Sequence, residues 1–208
     1  LPEYFKEDIK NARLIANPGC YPTATLLALL PFIDYIDTES PIFIDAKSGV
    51  SGAGKNPSDT THYCQINDNV HAYNPFKHRH MPEIQEKIKI LKGKDLPINF
   101  VPHLLPLTRG MLVSVFATLK DDINVNQVLN NSYKNCEFIR LRDKPVDVKS
   151  VAGTNFCDLF VAKNGKALFV SSAIDNLLRG ASSQAVVNAN ILCGYEEYEG
   201  IPKIAYVP

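Results

Sequence analysis

The chain has 208 residues, 45% hydrophobic and 21% charged, with 22 Lys and Arg against 22 Asp and Glu. A chain of this length suits one large domain or two small ones, and it buries enough apolar surface to need no disulfide or metal staple. Zero net charge without a basic run excludes nucleic acid as a natural partner, and the longest apolar stretch, 24–33, is interrupted by Pro31 and far too short to span a membrane.

In chain order, 13–16 is a short apolar strand candidate that runs into Asn17-Pro18-Gly19-Cys20. Pro22 suits the opening of a helix that 23–32 continues. Residues 42–46 read as a buried strand, followed at once by a glycine-rich loop, 48–55. Segment 57–74 is polar, irregular and long enough to suggest function. Apolar spacing at Ile84, Ile88 and Leu91 predicts a helix over 81–91. Two β-type runs, 98–105 and 111–119, flank a turn at Thr108-Arg109-Gly110. A short helix over 125–133 and a strand over 138–141 follow. Strands 156–162 and 167–173 flank Lys163-Asn164-Gly165-Lys166, a strong hairpin signal. A small-residue helix over 176–192 ends at Gly194. Hairpins, long connections and three or four helices predict an α+β fold with a mostly antiparallel sheet.

The five cysteines, Cys20, Cys64, Cys136, Cys157 and Cys193, are widely scattered and have no metal-knuckle or redox-motif spacing. An odd count without a secretory pattern points to a reducing, cytoplasmic setting. The opening Leu-Pro-Glu-Tyr, without an initiator Met, suggests a fragment or a processed chain.

Cys20 carries the most chemistry. It falls where a predicted strand gives way to a helix, between Gly19 and Pro22. Helix N-terminal N–H groups there would lower the thiol pKa and hold an oxyanion formed by attack on a carbonyl. On physical grounds a buried inert cysteine and a reactive one stand level. All five histidines, His62, His71, His78, His80 and His103, lie in one stretch of the chain. They could be loop residues, zinc ligands, or the proton carrier that a thiol mechanism requires. Residues Gly49 to Lys55 nearly form a phosphate loop, but Asn56 stands where a Ser or Thr should hold magnesium, and Pro57 discourages a helix. That loop either lines a substrate site with N–H groups or is only flexible. Arg109 offers a fork for a carboxylate or phosphate. Arg179, read as lying in the first turn of a helix, is unusual there for a cation unless it meets an anion.

The string Asn17-Pro18-Gly19-Cys20-Tyr21-Pro22-Thr23 resembles the active-site segment of N-acetyl-gamma-glutamyl-phosphate reductases. Four further segments fit the same family in the same order: Ser48 to Lys55, His78 to Ile84, Val101 to Pro106, and Asp175 to Ala181. The resemblance covers nearly the whole chain. It implies NADP-dependent reduction of a small-molecule acyl phosphate to N-acetylglutamate semialdehyde in arginine biosynthesis. It also implies a glyceraldehyde-3-phosphate-dehydrogenase-like C-terminal domain: a mixed, mostly antiparallel sheet with helices on one face, the other face free for a homo-oligomer. By resemblance Cys20 is the nucleophile and His80 the acid–base, with His78 the second choice. Asn17, Ser48, Gly49, His78 and Arg109 are candidate substrate contacts, and Asn176, Arg179 and Gly180 candidate cofactor contacts. No metal is implied.

Two departures stand out. Where related enzymes often read Lys-Gly-Ala-Ala-Gly-Gln, this chain has Arg179-Gly180-Ala181-Ser182-Ser183-Gln184. It also contains no G-x-G-x-x-G fingerprint after a strand. The family places that module before the cysteine, so an N-terminal portion on the order of 150 residues is expected outside this sequence. Residues 1–175 then form the catalytic and dimerisation domain, with 1–18 its link to the missing module, and 176–208 pack toward that module. Other readings remain open: an aspartate-semialdehyde dehydrogenase, a zinc hydrolase built on the histidines, or a non-catalytic assembly domain.

Overall fold

The computed structural model describes residues 1–205. Its helices are α1 (Pro2–Lys10), α2 (Cys20–Leu29), α3 (Tyr63–Ile66), α4 (His80–Lys92), α5 (Val125–Tyr133) and α6 (Ser182–Cys193). Its strands are β1 (Ile42–Gly49), β2 (His71–Ala72), β3 (Ile98–Leu105), β4 (Met111–Thr118), β5 (Ile139–Leu141), β6 (Cys157–Asn164) and β7 (Ala167–Ile174). The strands form one sheet in the order β2-β3-β1-β4-β7-β6-β5. The β1–β3 and β5–β6 pairs are parallel and the other four antiparallel. The sheet is therefore mixed and mostly antiparallel, as expected. Parallel β1 and β3 need a crossover, and the segment that carries α4 supplies it.

Strand alternation decides which face is covered. Ile42, Ile44 and Ala46 of β1 and Met111, Val113 and Val115 of β4 are buried under the helices. Phe43 and Phe116 point the other way, lie opposite each other in the register, and are about half exposed. On the covered face α2 lies on β4 and β7, with α4 alongside. Every residue of α2 after Cys20 is buried. A helix apolar on all sides belongs in the middle of a core, and the Leu26-Leu27-Ala28-Leu29 run shows why this one does.

Local chemistry sets the boundaries. The Asn124 side chain caps α5 by accepting the Gln127 N–H. Gly93 and Gly194 end α4 and α6 with left-handed backbone. The β6–β7 hairpin turns on Gly165 and Lys166, with Gly165 at φ 57°; the turn is one residue later than an Asn-Gly turn, yet still places glycine where positive φ is required.

Three expectations are corrected. Residues 13–16 are not a strand: Leu14 is 90% exposed and the segment pairs with nothing in the sheet. The first element is instead α1, with Pro2 at its start, Glu3 in its first turn and Lys10 in its last. The last helix begins at Ser182, not Asn176. Asp175 Oδ1 accepts the N–H groups of Leu177 and Leu178, which holds 175–181 as a series of turns. Segment 57–74 is not wholly irregular, since it contains α3 and β2. No helix among the described residues is long and apolar enough to cross a membrane.

Candidate active site

Cys20 is the first residue of α2, with Gly19 as its extended N-cap. The N–H groups of Tyr21 and Cys20 itself reach the sulfur. Burial nevertheless raises the thiol pKa. Those two N–H groups and Arg79 oppose the shift, and Glu83 adds to it. The expected depressed thiol is thus not what the fold produces, because burial by distant segments outweighs the helix terminus.

Two close approaches define the surroundings. A Cβ on Gly19 would stand 2.6 Å from His80 Nε2, so the imidazole lies directly over the cap of the cysteine helix. A Cβ on Gly180 would stand 2.6 Å from Cys20 Cβ and 2.4 Å from the Asn176 carbonyl oxygen. The turn 175–181 is therefore pressed onto Cys20.

His80 opens α4. Burial first, then His78 and Arg79, lower its pKa to about 4, so the ring rests neutral. Its Nδ1 is buried with no partner among the described residues. His78 is buried and its own pKa is lowered, mainly by burial. Its Nδ1 accepts the His80 backbone N–H at 3.2 Å, and the two rings lie 4.8 Å apart. Tyr21 sets its ring edge against both histidines. The Tyr73 hydroxyl donates to that of Tyr21 at 3.0 Å. This geometry makes His78 a support for His80.

A second group of residues fixes the floor. Asp175, fully buried, accepts from Arg109 Nη1 at 3.0 Å and from the Gly153, Leu177 and Leu178 N–H groups. Arg109 keeps 28% of its side chain exposed. Asn176 accepts from the Gly110 N–H and donates to Ser51 Oγ. Gly49 packs so tightly that a Cβ would meet the Leu107 carbonyl oxygen at 2.7 Å. Ser48 is buried, and its hydroxyl donates to the Gly49 carbonyl. The glycine-rich loop is therefore clamped to the 107–110 turn and to Asn176.

Two sequence-derived positions stand apart. Asn17 donates to the Ala181 carbonyl and accepts from Asn188 Nδ2, which ties the cysteine segment to α6. Arg179 is in no helix. Its guanidinium is fully buried and ion-paired with Glu3 of α1, which explains the cation without any cofactor phosphate. The histidines do not converge either. His103 lies on the opposite sheet face with Nδ1 3.1 Å from Asp45 Oδ1, and among the described residues no three His, Cys, Asp or Glu side chains are placed to hold a metal. Glu83, Asp175, Tyr21 and Tyr73 escaped the sequence reading. Only Glu83 carried a signal, three residues after His80 on the same helix face.

The fold and this cysteine–histidine arrangement define a class. Residues 20–176 match the family described as semialdehyde dehydrogenase, dimerisation domain, and the chain belongs to that family. The aspartate semialdehyde dehydrogenase II of Vibrio cholerae superposes with a TM-score of 0.72 at 21% identity, over 93% of this chain and 67% of that one. The enzyme of Francisella tularensis gives 0.69 at 11% identity, over 91% and 69%. At such identities the likeness shows the fold alone. More specifically, the chain is 65% identical over its whole length to the N-acetyl-gamma-glutamyl-phosphate reductase of Sulfurovum sp. and 58% identical to that of Wolinella succinogenes. It spans 62% of the length of each of these relatives.

Proposed function

We propose that this chain is the catalytic and dimerisation part of an NADP-dependent N-acetyl-gamma-glutamyl-phosphate reductase, acting in arginine biosynthesis in the cytoplasm. The observation that carries the reading is the placement of His80 over Gly19, beside Cys20, in a chain 65% identical to such a reductase. Residues 1–175 form the working domain, with 1–18 leading in from a dinucleotide-binding module; 176–205 face that module, and the rest of the tail lies outside the described residues. The open sheet face around Phe43 and Phe116 would pair two copies of the chain.

Cys20 and His80 start as a neutral pair, with the thiol raised and the imidazole lowered. Attack of Sγ on the gamma-acyl carbon forms the C–S bond as the acyl–phosphate C–O bond breaks. The thiol proton passes to the neutral His80 ring and leaves with phosphate, and a thioester remains on Cys20. The Cys20 and Tyr21 N–H groups at the helix start would hold the charge that develops on the carbonyl oxygen. Arg109, held by Asp175 yet partly exposed, suits the substrate's carboxylate. Asn17, Ser48, Gly49 and His78 act by holding the walls of the site.

The residues described do not fit a whole dinucleotide. There is no glycine-rich fingerprint, Asn176 is committed at both ends of its amide, and Arg179 is buried against Glu3. Gly180 and Asn176 can only wall the reacting end. NADPH, held mainly by a portion outside this chain, supplies the hydride when bound. The test is phosphate-dependent NADP reduction by the reductase-length protein. N-acetylglutamate semialdehyde should support it and aspartate semialdehyde should not. The reverse preference would overturn this substrate assignment.

A further inference from the structure

Glu83 lies on the first turn of α4 and is only partly buried. Its Oε1 accepts the Gly19 backbone N–H at 3.1 Å. Gly19 is also the residue over which the His80 ring is packed, and it caps α2. One turn of α4 therefore grips the same peptide twice, with an imidazole and with a carboxylate. The N–H that Glu83 takes is one of those a helix start leaves without an internal partner. No sequence neighbour of Cys20 offers that acceptor, and the nucleophile's backbone position depends on it.

We propose that Glu83 is the positioning residue of this site: its carboxylate fixes the Gly19 peptide, and with it the start of the cysteine helix, against the helix that carries His80. The same negative charge has a second effect. It disfavours the thiolate of Cys20, whose pKa it helps to raise. Arg79, the N-cap of α4, opposes it, while the nearby groups His78, His80, Tyr21 and Tyr73 rest neutral at pH 7. Asp175, behind the 175–181 turn, is tied to Arg109. Lys87, further along α4, pairs with Glu86. Glu83 thus links placement of the sulfur to its protonation, adding to the burial that keeps the thiol protonated until His80 takes the proton.

Glu83→Gln and Glu83→Ala separate the two effects. Glutamine keeps an acceptor at the same reach and removes the charge; alanine removes both. Iodoacetamide labelling of Cys20 at pH 7, read by peptide mapping on the 208-residue chain, needs no assumption about the substrate. There Glu83→Gln should label roughly three- to tenfold faster than the parent. The turnover arm rests on the reductase reading and uses the reductase-length protein. There Glu83→Gln should stay within about threefold of the parent. Glu83→Ala should lose about tenfold or more in kcat with KM little changed, as expected for lost alignment of reacting groups. An unchanged Cys20 labelling rate in Glu83→Gln overturns the electrostatic part whatever the enzyme's substrate is. Equal turnover of Glu83→Ala and the parent, or equal losses in both variants, overturns the positioning part. If the parent itself does not turn over, the reductase reading fails and labelling still decides the coupling. Circular dichroism of each variant shows whether a loss reflects unfolding, and if Glu83→Ala does not fold, Glu83→Gln alone decides.

Discussion

Gly180 and Cys20 touch across the site so closely that the glycine has no room for a side chain. The Cβ that alanine would add meets Cys20 Cβ at 2.6 Å and the Asn176 carbonyl oxygen at 2.4 Å. Neither obstacle is the loose end of a flexible side chain. Gly180→Ala must therefore shift the 175–181 turn, the α2 start, or both. Overpacking of this kind costs about 1–3 kcal/mol. Thermal melts should show that loss, and turnover should fall by about 10²-fold, since an ångström-scale misplacement of a nucleophile is worth that much. Parent-like melting and turnover would mean that the turn is not seated on the cysteine.

The order in which the cysteines react is the second expectation. Burial raises the Cys20 thiol, whereas Cys64 and Cys193 are exposed. With iodoacetamide near pH 7 the chain should label first at Cys64 and Cys193, more slowly at Cys20, and last at Cys157, which is fully buried with its thiol pushed up to about 12. This reverses the ranking that a helix start alone would imply. Cys20 labelling ahead of both exposed cysteines would show that the helix terminus outweighs burial after all.

Stability should fall on acidification through a defined window. An imidazole ordinarily titrates at 6.5, and burial beside His78 and Arg79 holds His80 near 4. Between those values the unfolded chain takes up a proton that the folded chain refuses. The folded state therefore keeps its full advantage above pH 6.5 and loses it as pH drops toward 4. His78, shifted the same way, adds to the slope. Urea unfolding at pH 7 and pH 5 reads it directly. His80→Asn should flatten the decline, and an unchanged slope would assign the loss to other groups.

The Glu3–Arg179 pair gives a fourth expectation. Both side chains are almost wholly buried, and Arg179 Nε and Nη1 meet no partner among the described residues. Removing the carboxylate alone, as in Glu3→Ala, strands a buried cation and should cost about 3–5 kcal/mol. Replacing both, as in Glu3→Leu with Arg179→Met, should recover most of that loss, because well-packed apolar side chains often match a buried ion pair. Denaturant midpoints of the two proteins, compared with the parent, test the point. Equal loss in both would show that the site does not tolerate apolar packing.

Much of this architecture was legible in the residues. Alternation in 42–49, 98–105 and 111–118 reports one buried sheet face, the apolar run from Leu26 to Leu29 reports a core helix, and Asn164-Gly165 marks the hairpin. What escaped depends on partners far away in sequence. Arg179 seemed to need an anion from a ligand because Glu3, 176 residues earlier, could not be foreseen as its partner. The 175–181 segment is capped by the Asp175 carboxylate as a helix start would be, yet the Gly180 and Ser182 N–H groups reach back five residues, to Asp175 and Leu177, so it closes as turns. The thiol was read from its own helix, whereas its pKa is set mostly by what covers it. α1 escaped for a local reason: it is short and leaves helical geometry at Phe5.

Because α2 has no solvent-facing side after its first residue, the Cys20 sulfur is attached to one of the most deeply buried elements of the molecule. Amide protons of Leu26 to Leu29 should exchange with deuterium only through global opening, while those of short, exposed α3 exchange through local fraying. Partial loosening at the periphery, by mild urea or warming, would leave Cys20 in register. The sharp rise in Cys20 labelling should therefore coincide with cooperative loss of the whole domain, which makes that thiol a built-in reporter of global unfolding.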